Sequence, residues 1–169
     1  MMSSLNEHLG TLLTLYKQGR FEDVITQGNT LVENFTSEAR LINIIGAANI
    51  ALKRFDEAIK HYLKAIELNP DNAEARNNLG VAYKENGDLT AAIESYQKAI
   101  SLKPDYVDAY NNLGIVYNEL GMNENAVTSY KKALELKPDF AEVYNNIGVA
   151  FRALGKSEDA IIHYKKAIE

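Results

Sequence analysis

The sequence contains no cysteine and no tryptophan, and only three of its 169 residues are proline. Without cysteine there is no disulfide scaffold, no thiolate metal cluster and no sulfur nucleophile. Long apolar runs are missing too: nothing approaches 18 consecutive apolar residues, so no membrane-spanning helix is expected. The segment Met1 to Lys17 places Glu7 among Leu9, Leu12, Leu13 and Leu15, and it lacks both the basic start and the unbroken apolar core of a signal peptide. The expected location is cytoplasmic. Basic charge is in short supply, with 18 Lys and Arg against 23 Asp and Glu and a formal charge of -5, which argues against a phosphate-backbone binder. What remains, 46% hydrophobic and 24% charged residues, is the composition of a folded globular chain.

The few prolines carry the first positive signal. Pro70, Pro104 and Pro138 stand 34 residues apart, twice over. Laying the segment from Ala73 over the segment from Val107 gives 17 identities in 34 positions, where chance gives about two. The register runs back to Ala39 and forward to Ala141, and more faintly back to Leu5 through Gly19, Phe21, Val24 and Leu31. The chain therefore reads as one domain over residues 1–169, with a degenerate unit at 5–38, three full units at 39–72, 73–106 and 107–140, and a shortened unit at 141–169.

Each unit reads as two amphipathic helices. In the third, Ala73 to Asn86 sets Leu79, Ala82 and Tyr83 on one face, Gly87 interrupts, and Leu89 to Leu102 does the same with Ala92, Ile93, Tyr96, Ala99 and Ile100. Asp71, Asp105 and Asp139 lie three residues before Glu74, Asp108 and Glu142, a spacing that predicts an acidic relative of the capping box. Gly46, Gly80, Gly114 and Gly148 fall in mid-helix, where glycine costs about 1 kcal/mol relative to alanine. A packing reason is needed, and the predicted one is close approach to the small residues Ala58, Ala92, Ala126 and Ala160. Tyr83, Tyr117, Phe151, Tyr62, Tyr96, Tyr130 and Tyr164 are expected to fill the core around that contact.

These columns together resemble the tetratricopeptide repeat. The residues that carry the likeness are Asn77 to Gly80, Asn111 to Gly114 and Asn145 to Gly148, the later Gly87, Gly121 and Gly155, the two alanine columns (the second being Ala65, Ala99, Ala133 and Ala167), the tyrosine column and the proline. The fourth position departs from the family's usual aromatic, with Ile42 and Arg76 in two units and Tyr110 and Tyr144 in the others. In the first unit Gly28 stands in the tyrosine column and Thr36 replaces proline. The resemblance implies an all-α, right-handed α-solenoid of about five antiparallel helix pairs, without catalysis or cofactor, whose concave surface is lined by the first helix of each unit.

In that register two asparagine columns occupy the fifth and sixth positions of the first helices. An asparagine offers one acceptor and two donor hydrogens, so a ladder of them suits an extended backbone without demanding a sequence. A similar ladder lines the repeats of O-linked N-acetylglucosamine transferase and related bacterial proteins, and that role carries to Asn78, Asn112 and Asn146, flanked by Asn43, Asn77, Asn111 and Asn145. Lys84, Asn118 and Arg152, at the twelfth position, complete the candidate peptide-binding set. The competing reading is that these asparagines serve solubility or bonding between adjacent units. The surface as a whole has five acids (Glu74, Glu85, Asp108, Glu119, Glu142) against three bases (Arg40, Lys84, Arg152), so a neutral or basic segment is the better match.

Catalytic and metal readings are weak. His8, His61 and His163 fall in no zinc spacing, and no phosphate loop or nucleophile elbow is present. Asn34-Phe35-Thr36 matches a glycosylation sequon and reads as chance without a signal peptide. The expected function is a non-catalytic scaffold holding a peptide or protein segment in its groove, with no cofactor, metal, nucleic acid or membrane. Two alternatives stand beside it. The chain could be the recognition region preceding a glycosyltransferase or sulfotransferase domain, an idea favoured by the stop at Glu169 without a capping helix; or it could self-assemble through open ends, using an exposed face of Ile161, Tyr164 and Ile168.

Overall fold

The computed structural model describes residues 5–169, and among them every regular element is an α-helix. The ten helices are α1 (Leu5–Lys17), α2 (Phe21–Asn34), α3 (Ala39–Ala51), α4 (Phe55–Leu68), α5 (Ala73–Glu85), α6 (Leu89–Leu102), α7 (Val107–Glu119), α8 (Asn123–Leu136), α9 (Ala141–Ala153) and α10 (Ser157–Lys166). The odd-numbered helices open at Leu5, Ala39, Ala73, Val107 and Ala141, the residues at which the repeat register begins.

The chain divides into two compact units, Met1–Gly87 and Asp88–Glu169, with the division in the turn that follows α5. In the first, α1 through α5 pack in sequence, and α1 also meets α3 while α3 meets α5. Two cores result. Leu9, Leu12, Leu15, Val24, Leu41, Ile45 and Ala48 bury together at one end. Ile42, Ala58, Tyr62, Ala65, Ile66, Ala75, Leu79 and Ala82 do so at the other. In the second unit α6 through α10 pack in sequence and α7 meets α9, around a core of Ala126, Val127, Tyr130, Ala133, Val143, Ile147, Ala150 and Phe151.

Helix ends follow local chemistry. Gly19, Gly87, Gly121 and Gly155 all take positive φ, from 73° to 87°, in the turn inside each helix pair. Such a conformation costs glycine little. Lys53 holds the same place in the α3–α4 turn at φ 58°, without glycine's freedom. At helix starts the acidic capping box is not what forms. The N-caps of α5, α7 and α9 are Asn72, Tyr106 and Phe140, one residue beyond the three aspartates, and of these only Asn72 caps with its side chain, accepting from the Ala75 N–H at 3.0 Å.

The glycine column also packs differently from the small-against-small expectation. A Cβ built on Gly46 would stand 2.8 Å from the Tyr62 ring, and on Gly114 or Gly148 it would stand 2.5 Å from the rings of Tyr130 or Tyr164. Tyrosine, not alanine, faces glycine. The ring needs the volume that a side chain would take, and Ala58, Ala126 and Ala160 are buried beside the contact instead. Burial pushes the Tyr62 and Tyr130 hydroxyls up from their ordinary pKa, since an ionised phenolate would lose its hydration there.

Candidate functional site

Each unit presents a face built from two first-type helices, α3 and α5 in one and α7 and α9 in the other. On both faces the same three side chains are joined. Asn43 Nδ2 donates to Glu74 Oε1 at 3.3 Å, and Asn78 Nδ2 donates to Asn43 Oδ1 at 3.4 Å. Sixty-eight positions later Asn111 Nδ2 donates to Glu142 Oε1 at 3.2 Å, and Asn146 Nδ2 donates to Asn111 Oδ1 at 3.3 Å.

The carboxylate dictates the direction of this chain. A carboxylate oxygen only accepts, so the inner asparagine must turn its NH2 toward the glutamate and its carbonyl toward the next asparagine. That carbonyl also only accepts, so the outer asparagine must turn its own NH2 inward. Asn78 and Asn146 are thereby held with Oδ1 directed away from the network, and burial of the inner Asn43 and Asn111, 9% and 5% exposed, keeps water from competing for these bonds.

The candidate residues therefore separate by depth. Asn43, Asn77 and Asn111 are buried, while Asn78, Asn112 and Asn146 are half-buried on the helix surface. Asn145, the last of the fifth-position column, is exposed. Lys84 Nζ lies 2.7 Å from Glu85 Oε1; Asn118 is half-buried and Arg152 is exposed. Glu74 and Glu142 were assigned by sequence reasoning to helix capping and missed as the anchors of the asparagine chains. The pairing of an asparagine with an acid 31 residues later was the available signal.

Two other features are less organised. A cleft of about 310 Å³ in the first unit lies over Val32 and Ile42 and is edged by Asn29, Lys60, His61 and Lys64, but Lys60 and Lys64 are already paired with Glu57 and Glu67 at 2.7 and 2.9 Å. In the second unit a hollow of about 450 Å³ is lined by Pro138, Asp139, Ala141, Tyr144, Lys166 and Glu169. His61 and His163 share a repeat column and a contact, each with Nδ1 2.7–2.8 Å from the carbonyl four residues earlier. Among the described residues no three His, Cys, Asp or Glu side chains come together as a metal site, and no helix is long and apolar enough to cross a membrane.

Comparison with known proteins agrees with this architecture. The family described as TPR repeat matches residues 46–87, 82–121 and 116–155. No curated protein matches by sequence. Among solved structures, a crystal structure of MamA superimposes with a TM-score of 0.85 at 27% identity, covering 99% of this chain and 95% of that one. A second MamA structure, residues 41 to the end of the Desulfovibrio magneticus RS-1 protein, gives a TM-score of 0.86 at 16% identity over 96% and 92% of the two chains. YrrB, described as a TPR protein with an unusual peptide-binding site, gives 0.76 at 20% identity over 95% and 83%.

Proposed function

The chain belongs to the tetratricopeptide-repeat family, with the all-α fold of its solenoid proteins, and on that premise we propose that it is a non-catalytic scaffold in which the first-helix face of each unit holds an extended polypeptide segment. The observation that carries the reading is the oriented asparagine chain, built twice from the same columns. Asn78 and Asn146 present acceptors for the N–H groups of a ligand backbone, with the buried Asn43 and Asn111 as supports behind them, and Asn112 and the buried Asn77 continue the two columns along the sequence. Backbone recognition of this kind gives affinity without fixing the sequence bound. Lys84, Asn118, Asn145 and Arg152 supply the side-chain contacts at the margins. A grip of the type known from O-linked N-acetylglucosamine transferase repeats fits these groups, as does a role as the recognition region of a larger transferase.

The test is a peptide array probed with the whole chain and with the triple variant Asn78→Ala, Asn112→Ala, Asn146→Ala. The expected result is loss of most bound spots, on the order of tenfold weaker, with unchanged helicity by circular dichroism. Retention of every spot moves the site off these faces. The same proposal keeps the chain in the cytoplasm, and fractionation that recovers it elsewhere overturns that part.

Self-assembly by end-to-end stacking finds less support. At the third, seventh and tenth positions, where α3, α5, α7 and α9 bury apolar residues, α1 carries Glu7, Thr11 and Thr14, all exposed. Both threonine hydroxyls donate back to their own helix, to the Glu7 and Gly10 carbonyls. That face of α1 is polar.

A further inference from the structure

Two helix pairs of the second unit carry a ring at a place where the α3–α4 pair carries none. At the fourth position of α7 and α9 stand Tyr110 and Tyr144, both half-buried against that unit's core. The Tyr144 ring lies beside two residues of α10, its centroid 6.2 Å from the His163 ring and 5.6 Å from Lys166 Nζ. Three repeats earlier the same columns hold His61 and Lys64, but the fourth position is the aliphatic Ile42.

Over Ile42 lies the cleft of about 310 Å³ formed by α2, α3 and α4. Val32 and Ile42 make its apolar floor, and Lys60, His61 and Lys64 stand at its edge. No tyrosine or phenylalanine among the described residues lines it, and Met1 to Ser4 contain no aromatic residue. About 150 Å³ of apolar space is enough to take a benzene ring. Neighbouring helices do not close the opening: α1 packs on α2 and α3, α5 packs on α3 and α4, and the cleft stays open with both in place. Its edge carries two lysines against the single acid Glu57. Each lysine gives one hydrogen to a glutamate, Glu57 or Glu67, in an exposed pair of the kind that contributes little, and an ammonium has two more to give.

We propose that this cleft is a docking site for an acidic segment of another polypeptide, one that inserts an aromatic side chain over Ile42 and sets a carboxylate beside it. The ring takes the place that Tyr144 takes in its own pair, with His61 and Lys64 standing to it as His163 and Lys166 stand to Tyr144. Lys60 and Lys64 hold the carboxylate. The cleft shares no residue with the asparagine chains, so it is a second site and does not depend on the first-helix faces.

The probes are fluorescent peptides of alternating glycine and glutamate with one central tyrosine, phenylalanine or tryptophan, and a control with alanine at that place, each titrated with the full chain. The aromatic peptides are expected to bind saturably and the alanine peptide at least tenfold more weakly. Ile42→Tyr supplies from within the ring that Tyr110 and Tyr144 supply to their own pairs, so it should keep the helicity by circular dichroism and remove the binding. Lys60→Ala combined with Lys64→Ala, both exposed, should weaken binding about threefold to fivefold and reduce its dependence on salt. That pair also carries the test if Ile42→Tyr does not fold. Asn78→Ala should change nothing, which separates this cleft from the first-helix face. No saturable binding, equal binding of the alanine peptide, full binding to a folded Ile42→Tyr chain, unchanged affinity in the double lysine variant, or loss of binding with Asn78→Ala each overturns the proposal.

Discussion

The first helix pair and the second solve the same packing problem with the large and small residues exchanged. In α3 and α4 a glycine on the first helix, Gly46, receives the ring of Tyr62 from the second. In α1 and α2 the first helix carries Leu12 in the glycine column and the second carries Gly28 in the tyrosine column, and both are buried. The space over Gly28 is taken by Ile45 from the next helix, whose Cγ1 would lie 2.6 Å from an added Cβ, with Leu12 farther off at 4.0 Å. What persists across the repeats is filled volume, and the identity of the residue that fills it is free to move between helices. The pair that looks degenerate by column is complete by packing.

The strongest way to break this comparison is to impose the first pair's solution on a later one. Gly114→Leu and Tyr130→Gly are each expected to cost about 3–5 kcal/mol in denaturant unfolding, the first by driving a side chain into a ring that is 1% exposed and the second by leaving a large cavity. Combined, they should cost less than the sum of the two by about 1–3 kcal/mol. Strict additivity would mean that the two positions do not share one volume.

A smaller effect separates the pairs at high pH. The folded pKa of Tyr62 and Tyr130 is raised by burial, so the folded state holds these phenols neutral while the unfolded chain releases the proton near the ordinary tyrosine value of about 10. Their contribution is therefore fully present below pH about 10 and is lost as the pH rises above it. The urea midpoint should be flat with respect to these groups up to that point and then fall, and the double variant Tyr62→Phe, Tyr130→Phe should flatten the fall. An alkaline limb of unchanged slope would assign the loss to other groups. The first pair carries Gly28 in that column and so has no phenol there.

The smallest expected difference lies in the turns. Gly19 and Lys53 occupy the same turn position in the first and second pairs, both with positive φ. Lys53→Gly should stabilise the chain by about 1 kcal/mol, since the left-handed conformation costs a side-chain-bearing residue about that much. A thermal melt that shifts upward by a few degrees is the expected outcome, and a downward shift would show that the lysine makes a compensating contact.

Much of the fold could be read directly from the residues. The helix starts at Leu5, Ala39, Ala73, Val107 and Ala141 follow from the 34-residue register, because an amphipathic period and a turn glycine are local signals. The misreadings share one cause, a partner distant in sequence. Glu74 and Glu142 sit at a spacing that suits a helix cap, yet they accept from asparagines 31 residues earlier. Gly46 and Gly114 plainly need a large neighbour or a small one, and the sequence offers both Ala and Tyr columns on the next helix.

The candidate site divides along the same line. That two asparagine columns exist, and that they belong on first helices, is a property of the sequence alone, since spacing by itself assigns residues to a helix face. Which column lies beneath and which at the surface was decided only when α5 settled on α3 and α9 on α7. Depth and hydrogen-bond direction come from neighbours that chain order does not place side by side. A carboxylate that can only accept then fixes the orientation of every amide linked to it.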